Sequence, residues 1–96
     1  MPAYLMAFME VKDDEKYDSE YVAHVSPLVR KHGGKPLVLS KTADVREGEW
    51  PKGRNILIEF PDRAAAEAWY NDPEYLPYIN LRNELAEGGL AILDGI

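Results

Sequence analysis

The chain has 96 residues, which is enough for one domain with a limited hydrophobic core of its own. Hydrophobic residues make up 46% and charged residues 29%, the balance of a folded globular protein rather than a disordered one. The formal net charge of -6 argues against nucleic acid or an anionic membrane as partner, and the lack of cysteine excludes disulfides, thiol nucleophiles and Cys-ligated zinc.

The N-terminal segment is apolar and is predicted to form the first strand. Residues 1–9 lack a basic leading region and meet Glu10 too soon for a secretory or membrane-spanning segment, so we expect a cytoplasmic protein. Along residues 3–11 apolar side chains alternate to both faces, with Tyr4, Met6 and Phe8 on one of them. Such a strand needs a cover on each face.

A helix is predicted to follow, from Asp18 or Ser19 as N-cap to the glycine pair at 33–34. Pro27 lies inside this segment and removes a backbone hydrogen bond, which predicts a kink or an irregular turn. The apolar stripe of the helix is Tyr21, Val25, Leu28, Val29 and His32.

Two strands are predicted in the middle of the chain. The first spans residues 35–40 and continues, or is bulged, through residues 44–47. Residues 48–53 form a turn cluster, and residues 54–60 form a strand rich in β-branched side chains, which suits a central position. Ile56, Ile58 and Phe60 share one face of that strand, and Asn55, Leu57 and Glu59 share the other.

Two helices and a last strand are predicted in the remainder. Asp62 suits the N-cap of the first of these helices, while Asp72 and Pro73 suit the start of the second. The glycine pair at 88–89 is predicted to stop the last helix before a strand at residues 90–94. One side of that helix carries Tyr75, Tyr78, Leu81, Arg82 and Leu85.

The order β-α-β-β-α-β predicts a single α+β domain over residues 1–96, with a ferredoxin-like four-stranded antiparallel sheet. Helices cover only one face of such a sheet, yet these strands are apolar on both. We expect a second copy of the chain, related by a twofold axis, to cover the other face. The predicted assembly is a homodimer, a dimeric α+β barrel.

His32 and Glu59 are the candidates for catalytic residues. An imidazole can take or give a proton near neutral pH, although a histidine in the last turn of a helix also caps carbonyls. Glu59 lies near the end of an otherwise apolar strand, where burial can turn a carboxylate into a general base. The alternative for Glu59 is a structural ion pair with Arg54 or Arg82.

Substrate-binding residues are predicted among the aromatic and basic side chains. Arg82 lies on the apolar side of the last helix, where it can bind a ligand carboxylate or phenolate or form a salt bridge to the sheet. Tyr21, Trp69 and Tyr75 can line a small-molecule pocket or serve as core and interface. His24 and His32 lack a nearby third ligand, and no nucleotide fingerprint is present, so we expect no metal and no cofactor.

Several segments resemble the family of the domain of unknown function 1330, small proteins of the dimeric α+β barrel superfamily. They are residues 31–37, 47–51, 58–62, 68–75 and 81–82, in the order and spacing of that family. Pro77 departs from the helix-compatible residue that the family pattern has there. The resemblance implies a ferredoxin-like fold and a homodimer, and it supplies no reaction. The wider superfamily hosts cofactor-free monooxygenases, muconolactone isomerases and haem peroxidases, an analogy of fold alone.

Two hypotheses about function follow. In the first, the protein is an enzyme in which His32 or Glu59 moves a proton on an aromatic or enol-like metabolite, for isomerase-like or oxygenase-type chemistry, and the polar side chains converge on a cavity. In the second, it is a non-catalytic homodimer that binds a metabolite or serves as a structural module. The residue pattern does not decide between them.

Overall fold

The fold is built on a four-stranded antiparallel sheet with the strand order β2-β3-β1-β4. A computed structural model describes all residues, 1–96. The strands are β1 (Ala3–Val11), β2 (Lys35–Ser40), β3 (Arg54–Phe60) and β4 (Ala86–Asp94). This order, with the helices inserted between strands, confirms the predicted ferredoxin-like α+β fold.

The helices pack on one face of the sheet. The first helical run consists of α1 (Asp14–Tyr17), a π-helical segment (Asp18–Val22) and α2 (Ala23–Lys31), and it is followed later by α3 (Arg63–Tyr70) and α4 (Leu76–Leu85). Alternate residues of β1, among them Leu5 and Met9, are buried beneath these helices together with Ile58 and Phe60 of β3. No helix combines the length and apolarity needed to cross a membrane.

Two helices, α1 and α3, begin at a side-chain cap, and only the second of these caps was predicted. The Asp62 carboxylate accepts a hydrogen bond from the Ala65 amide at 2.8 Å, the N-cap that was predicted for α3. The N-cap of the first helical run is Asp13, five residues before the earlier of the two predicted N-caps, Asp18 and Ser19, because the Asp13 carboxylate accepts from the Lys16 amide. Pro77 lies in the first turn of α4, where a missing N–H is tolerated.

The irregularity predicted at Pro27 lies elsewhere. Pro27 is inside α2, and the departure from α-helical geometry is the π-helical segment that ends at Val22, one turn earlier. Tyr21, in this segment, is buried, as is Val25 in the turn after it.

Two predicted boundaries are wrong. Strand β2 ends at Ser40 and does not continue through residues 44–47, which lie in an exposed connection. Gly88 and Gly89 do not end a helix but lie within β4, paired with Met9 and Phe8 of β1. A Cβ atom at Gly88 would fall 1.8 Å from the Phe8 carbonyl oxygen, so the close approach of the two backbones requires glycine there.

The face of the sheet opposite the helices is apolar and open. Met6 and Phe8 of β1, Val38 of β2 and Leu93 of β4 keep 40–45% of their surface exposed. Met6 is paired with Leu57 and Ala91 across the sheet, so apolar side chains extend over three neighbouring strands. The prediction that the strands are apolar on both faces is thus reflected in the structure.

Candidate functional site

A cavity of about 290 Å³ lies between the first helical run and the sheet. The run contributes seven residues, four of which are spaced by four residues, and the sheet contributes the same face of β1 and β3 that forms the core. Of the 19 residues that line it, 13 are hydrophobic. The contributions from the helical run include Tyr17, Tyr21, Val25 and Val29. Such a cavity suits a small, largely apolar ligand.

A buried hydrogen-bonded chain of three side chains lies beside this cavity. The hydroxyls of Tyr21 and Tyr75 are 2.8 Å apart, and Arg82 Nη1 donates to the Tyr75 hydroxyl at 3.0 Å. Tyr21 and Arg82 line the cavity, whereas Tyr75 lies behind them and is fully buried. Burial raises the pKa of both tyrosines above the ordinary value, so both are neutral phenols at neutral pH.

Arg82 is half-buried and has no carboxylate partner. None of the salt bridges of the chain includes it, and its one side-chain hydrogen bond goes to Tyr75. Arg82 also lines a second, more open depression of about 330 Å³ beside β4, which it shares with Arg63 and Tyr70. A guanidinium in this setting is available to bind an anionic group.

Trp69 supplies a buried donor without an acceptor. The residue retains only 2% of its surface, and its Nε1–H has no hydrogen-bond partner. Its ring lies 4.3 Å from that of Tyr75, and it lines the cavity together with Tyr21 and Arg82. A buried unpaired N–H is unfavourable, and because this nitrogen has almost no accessible surface, Trp69 contributes its ring rather than its N–H to the wall of the cavity.

Arg54 organises a charged group at the α1 side of the cavity. Its guanidinium donates to Asp14 and to Asp18, each at 2.7 Å, and its central carbon lies 5.0 Å from the centre of the Tyr17 ring. Arg54, Asp18, Tyr17 and Lys41 all line the cavity. Burial raises the pKa of Tyr17 to about 12, and the nearby Arg54 charge opposes that rise.

The structure does not place His32 or Glu59 in this cavity. His32 Nε2 lies 2.7 Å from the carboxylate of Asp72, which also accepts from Lys31 at 3.2 Å. Glu59 accepts a hydrogen bond from the Tyr4 hydroxyl at 3.0 Å on the open face of the sheet, opposite the helices. The predicted catalytic residues therefore do not converge with Arg82, and their catalytic role stays a prediction.

The four predicted substrate-binding residues, in contrast, lie together. Tyr21, Trp69 and Arg82 line the cavity, and Tyr75 contacts all three. The sequence analysis missed Arg54 as a lining residue. The signal was present, because Arg54 shares its strand parity with Ile56 and Ile58, whose face of β3 is covered by the helices.

A family model matches the sequence almost throughout. The model of DUF1330, a domain of unknown function, matches residues 2–96, nearly the whole chain. No curated protein matches the sequence.

Solved structures with the same fold include proteins of unknown function and an oxygenase. One is RPA0582, a protein of unknown function from Rhodopseudomonas palustris. The structure of methylated RPA0582 superposes with a TM-score of 0.79 at 16% identity, over 99% of this chain and 81% of the other. SnoaB, a cofactor-independent oxygenase from Streptomyces nogalater, gives 0.68 at 11% identity over 99% and 93%. A Bacteroides thetaiotaomicron protein, described as a possible oxidoreductase, gives 0.69 at 15% over 98% and 97%. These likenesses show the fold.

Proposed function

The chain belongs to the DUF1330 family, whose function is unknown, and we propose from its cavity that it binds a small aromatic or enol-like metabolite as the anion. The ligand would lie between the first helical run and the sheet, with its ionised oxygen at Arg82 and its rings against apolar side chains. Tyr21 would form the polar end of the site together with Arg82, Trp69 would add its ring to the wall, and Tyr75 would hold Tyr21 and Arg82 from behind.

The observation that carries this proposal is the unpaired charge of Arg82. A half-buried guanidinium without a carboxylate is poorly solvated and gains from an anion that enters the cavity. The positive charge of Arg82 would also stabilise the ionised form of a bound phenol or enol relative to its neutral form. The ligand would therefore bind with its pKa lowered and leave its proton in solvent.

Size and polarity restrict the ligand further. A volume of about 290 Å³ lies just below the range of about 300–1,000 Å³ that is common for ligand pockets, which favours a ligand of one ring or two fused rings. The mostly hydrophobic lining favours an aromatic body over a sugar or a nucleotide.

Oxygenase-type chemistry is the enzymatic form of this proposal. A stabilised carbanion or enolate can transfer one electron to O₂, giving a substrate radical and superoxide, which combine into a C–O bond. Protonation gives a hydroperoxide, and loss of water leaves a ketone, so that R₂CH₂ and O₂ become R₂C=O and H₂O. The cofactor-independent oxygenase SnoaB supports this choice as a protein of the same fold.

Non-catalytic binding is the second candidate function. It is supported by the positions of His32 and Glu59, which form hydrogen bonds outside the cavity rather than beside a ligand that would bind in it. In that case the protein would hold the anion of its ligand without converting it.

We also propose that the protein acts as a homodimer in the cytoplasm. The open face of the sheet is apolar, and its exposure to water would be unfavourable. This supports a second copy of the chain as the cover of that face. The cysteine-free composition is consistent with a reducing compartment.

The test of binding uses 7-hydroxycoumarin, whose fluorescence excitation distinguishes the phenol from the phenolate. We expect the wild-type protein to lower the phenol pKa of the bound probe by about one unit or more. Arg82→Met should abolish the pKa shift and weaken binding roughly tenfold, because it keeps the side-chain length and removes the charge. Arg30→Met, on the exposed side of α2, is the matched control.

Oxygenase activity is tested separately, with an oxygen electrode and the enolisable ketone 2-tetralone. Consumption of O₂ that is lost in Arg82→Met would support the enzymatic form. Binding of 7-hydroxycoumarin without O₂ consumption from 2-tetralone would favour the non-catalytic candidate, and an unshifted probe pKa would contradict the proposal as a whole.

A further inference from the structure

We infer that the end of the cavity at Arg82 presents hydrogen-bond donors, so that it selects a ligand with two acceptor oxygens over one that carries an N–H group at the same position. The donors are Tyr21 and Arg82, which we call the donor cluster. The inference rests on the proposed binding function and specifies the chemical class of its ligand.

Arg82 sets the direction of the hydrogen bonds. A guanidinium has no acceptor, so the Tyr75 oxygen must accept from Arg82 Nη1. The Tyr75 hydroxyl proton is then directed to a neighbouring acceptor, and the acceptor within reach is the Tyr21 oxygen at 2.8 Å. Tyr21 accepts from Tyr75, and its own proton is left to face the cavity.

The reverse direction between the two tyrosines is less favourable. If Tyr21 donated to Tyr75, the Tyr75 oxygen would accept two hydrogen bonds and its own proton would have no acceptor. Tyr75 is fully buried and does not line the cavity, so neither water nor a ligand could accept that proton. Tyr21 does line the cavity, where a ligand can complete its bonding.

Trp69 adds no donor to this end of the cavity. Its Nε1–H is buried without a partner and has almost no accessible surface, so a ligand in the cavity cannot reach it. Its ring lines the cavity and packs on Tyr75, whose hydroxyl holds that of Tyr21. The groups that require an acceptor from whatever occupies the site are therefore Tyr21 and Arg82.

The matching ligand is a fused aromatic with a phenolate or enolate oxygen and a second oxygen, as in a hydroxylated ketone, lactone or quinone. Two hydroxyl or carbonyl oxygens can satisfy the donor cluster together. An amine of the same shape would point its own N–H groups at the N–H of Arg82 and the O–H of Tyr21. The donors of the protein would then stay buried and unpaired. The cavity thus discriminates by whether the ligand accepts or donates hydrogen bonds, as well as by the shape of the ligand.

The experiment compares 7-hydroxycoumarin with 7-aminocoumarin, which differ only in the group at one position. Dissociation constants for both are measured by isothermal titration calorimetry with the wild type and Tyr21→Phe. Tyr78→Phe is the matched control, because Tyr78 stacks on His24 outside the cavity. We expect the wild type to prefer the hydroxyl compound at least tenfold, and Tyr21→Phe to lower that preference by about fivefold to tenfold.

The informative quantity is the ratio of the two dissociation constants, because a variant that only damaged the structure would weaken the binding of both coumarins equally. Tyr75→Phe provides a second measure: it removes the proton that Tyr21 accepts, frees the Tyr21 hydroxyl to turn, and should also lower the preference. If the wild type binds both coumarins equally, or if Tyr21→Phe and Tyr75→Phe leave the ratio unchanged, the inference is overturned while the proposed function stands. If the wild type binds neither coumarin, both are overturned.

Discussion

Asp72 illustrates how one carboxylate ties together separate parts of the chain. It accepts from His32 and Lys31 at the end of the first helical run, and its other oxygen accepts from the Glu74 amide at 2.9 Å. The hydrogen bond from His32 contributes most to lowering the pKa of Asp72 to about 2, followed by the bond from the Glu74 backbone. His32 thus has a structural partner that the sequence pattern did not suggest.

The pH dependence of stability should report this lowered pKa. A carboxyl that ionises more readily in the folded state stabilises the fold above its unfolded pKa, near 3.8, and this contribution is lost as the pH falls towards about 2. We expect Asp72→Asn to be less stable than the wild type at neutral pH and to approach it in strong acid. Urea denaturation followed by circular dichroism measures both.

Asp44→Asn is the control for this comparison, because Asp44 pairs with Arg46 where both side chains are largely exposed. It should change stability little at any pH. If the free energy of unfolding of Asp72→Asn differed from that of the wild type by the same amount in acid as at neutral pH, the ionised Asp72 carboxylate would not be the source of the difference.

At the level of elements, the junction after α2 depends on close packing at Gly34. A Cβ atom there would lie 2.5 Å from Val29 Cγ1 and 2.8 Å from Phe60 Cε1. Both neighbours belong to the core, so neither can move freely. The turn after the helix and the last residue of β3 are thereby held in contact.

Gly34→Ala should therefore destabilise the fold by about 2–3 kcal/mol through overpacking. Gly48→Ala is the control: Gly48 has φ +71° but no atom within 4 Å of a Cβ, so its cost should be limited to backbone strain of about 1 kcal/mol. Equilibrium urea unfolding gives both values. Equal losses for the two variants would show that packing at Gly34 is unimportant.

Element type was largely predictable, whereas several boundaries were not. The β-branched β3 and the capped α3 follow from local patterns that tertiary contacts leave unchanged. The glycine pair at 88–89 misled the prediction of β4, because a pair of glycines indicates a helix stop locally, while here Gly88 permits close approach to β1. That contact is long-range and leaves no trace in the neighbouring residues.

The site was predictable where helix faces determine it. Tyr21 and Arg82 were identified because both lie on apolar helix sides that must meet the sheet. Glu59 was placed with them although its strand parity opposes that of Ile58 and Phe60, and parity alone assigns it to the open face. The pairing of His32 with Asp72 spans forty residues of sequence, and no local pattern predicts it.

At the level of the whole molecule, the open sheet face is the surface at which we expect a second copy of the chain to pack. Met6 lies at the middle of this face, paired with β3 and β4 on either side, and is 45% exposed. We expect the wild type to sediment as a dimer of the 10.9 kDa chain, and Met6→Lys to shift it to the monomer, because the change would bury a charge between two apolar sheets.

Analytical ultracentrifugation distinguishes the two species. Leu76→Lys is the matched control: Leu76 is 47% exposed, but it lies at the start of α4, on the helical side of the molecule. A wild-type protein that is monomeric at high concentration, or a dimer that Met6→Lys leaves intact, would contradict the assembly through this face.

The π-helical segment has a consequence for how the wall of the cavity is aligned. Tyr17, Tyr21, Val25 and Val29 all face the sheet, yet at about 100° per residue each step of four overshoots a full turn by about 40°. Three such steps would rotate the first of these side chains by about 120° away from the last. The wider π turn takes up an extra residue and resets this phase. Deletion of the exposed Ser19 would leave eleven steps of about 100° between Tyr17 and Val29, within about 20° of three full turns, so a regular α-helix would replace the π turn and Tyr17 would keep its Arg54 contact in the wall.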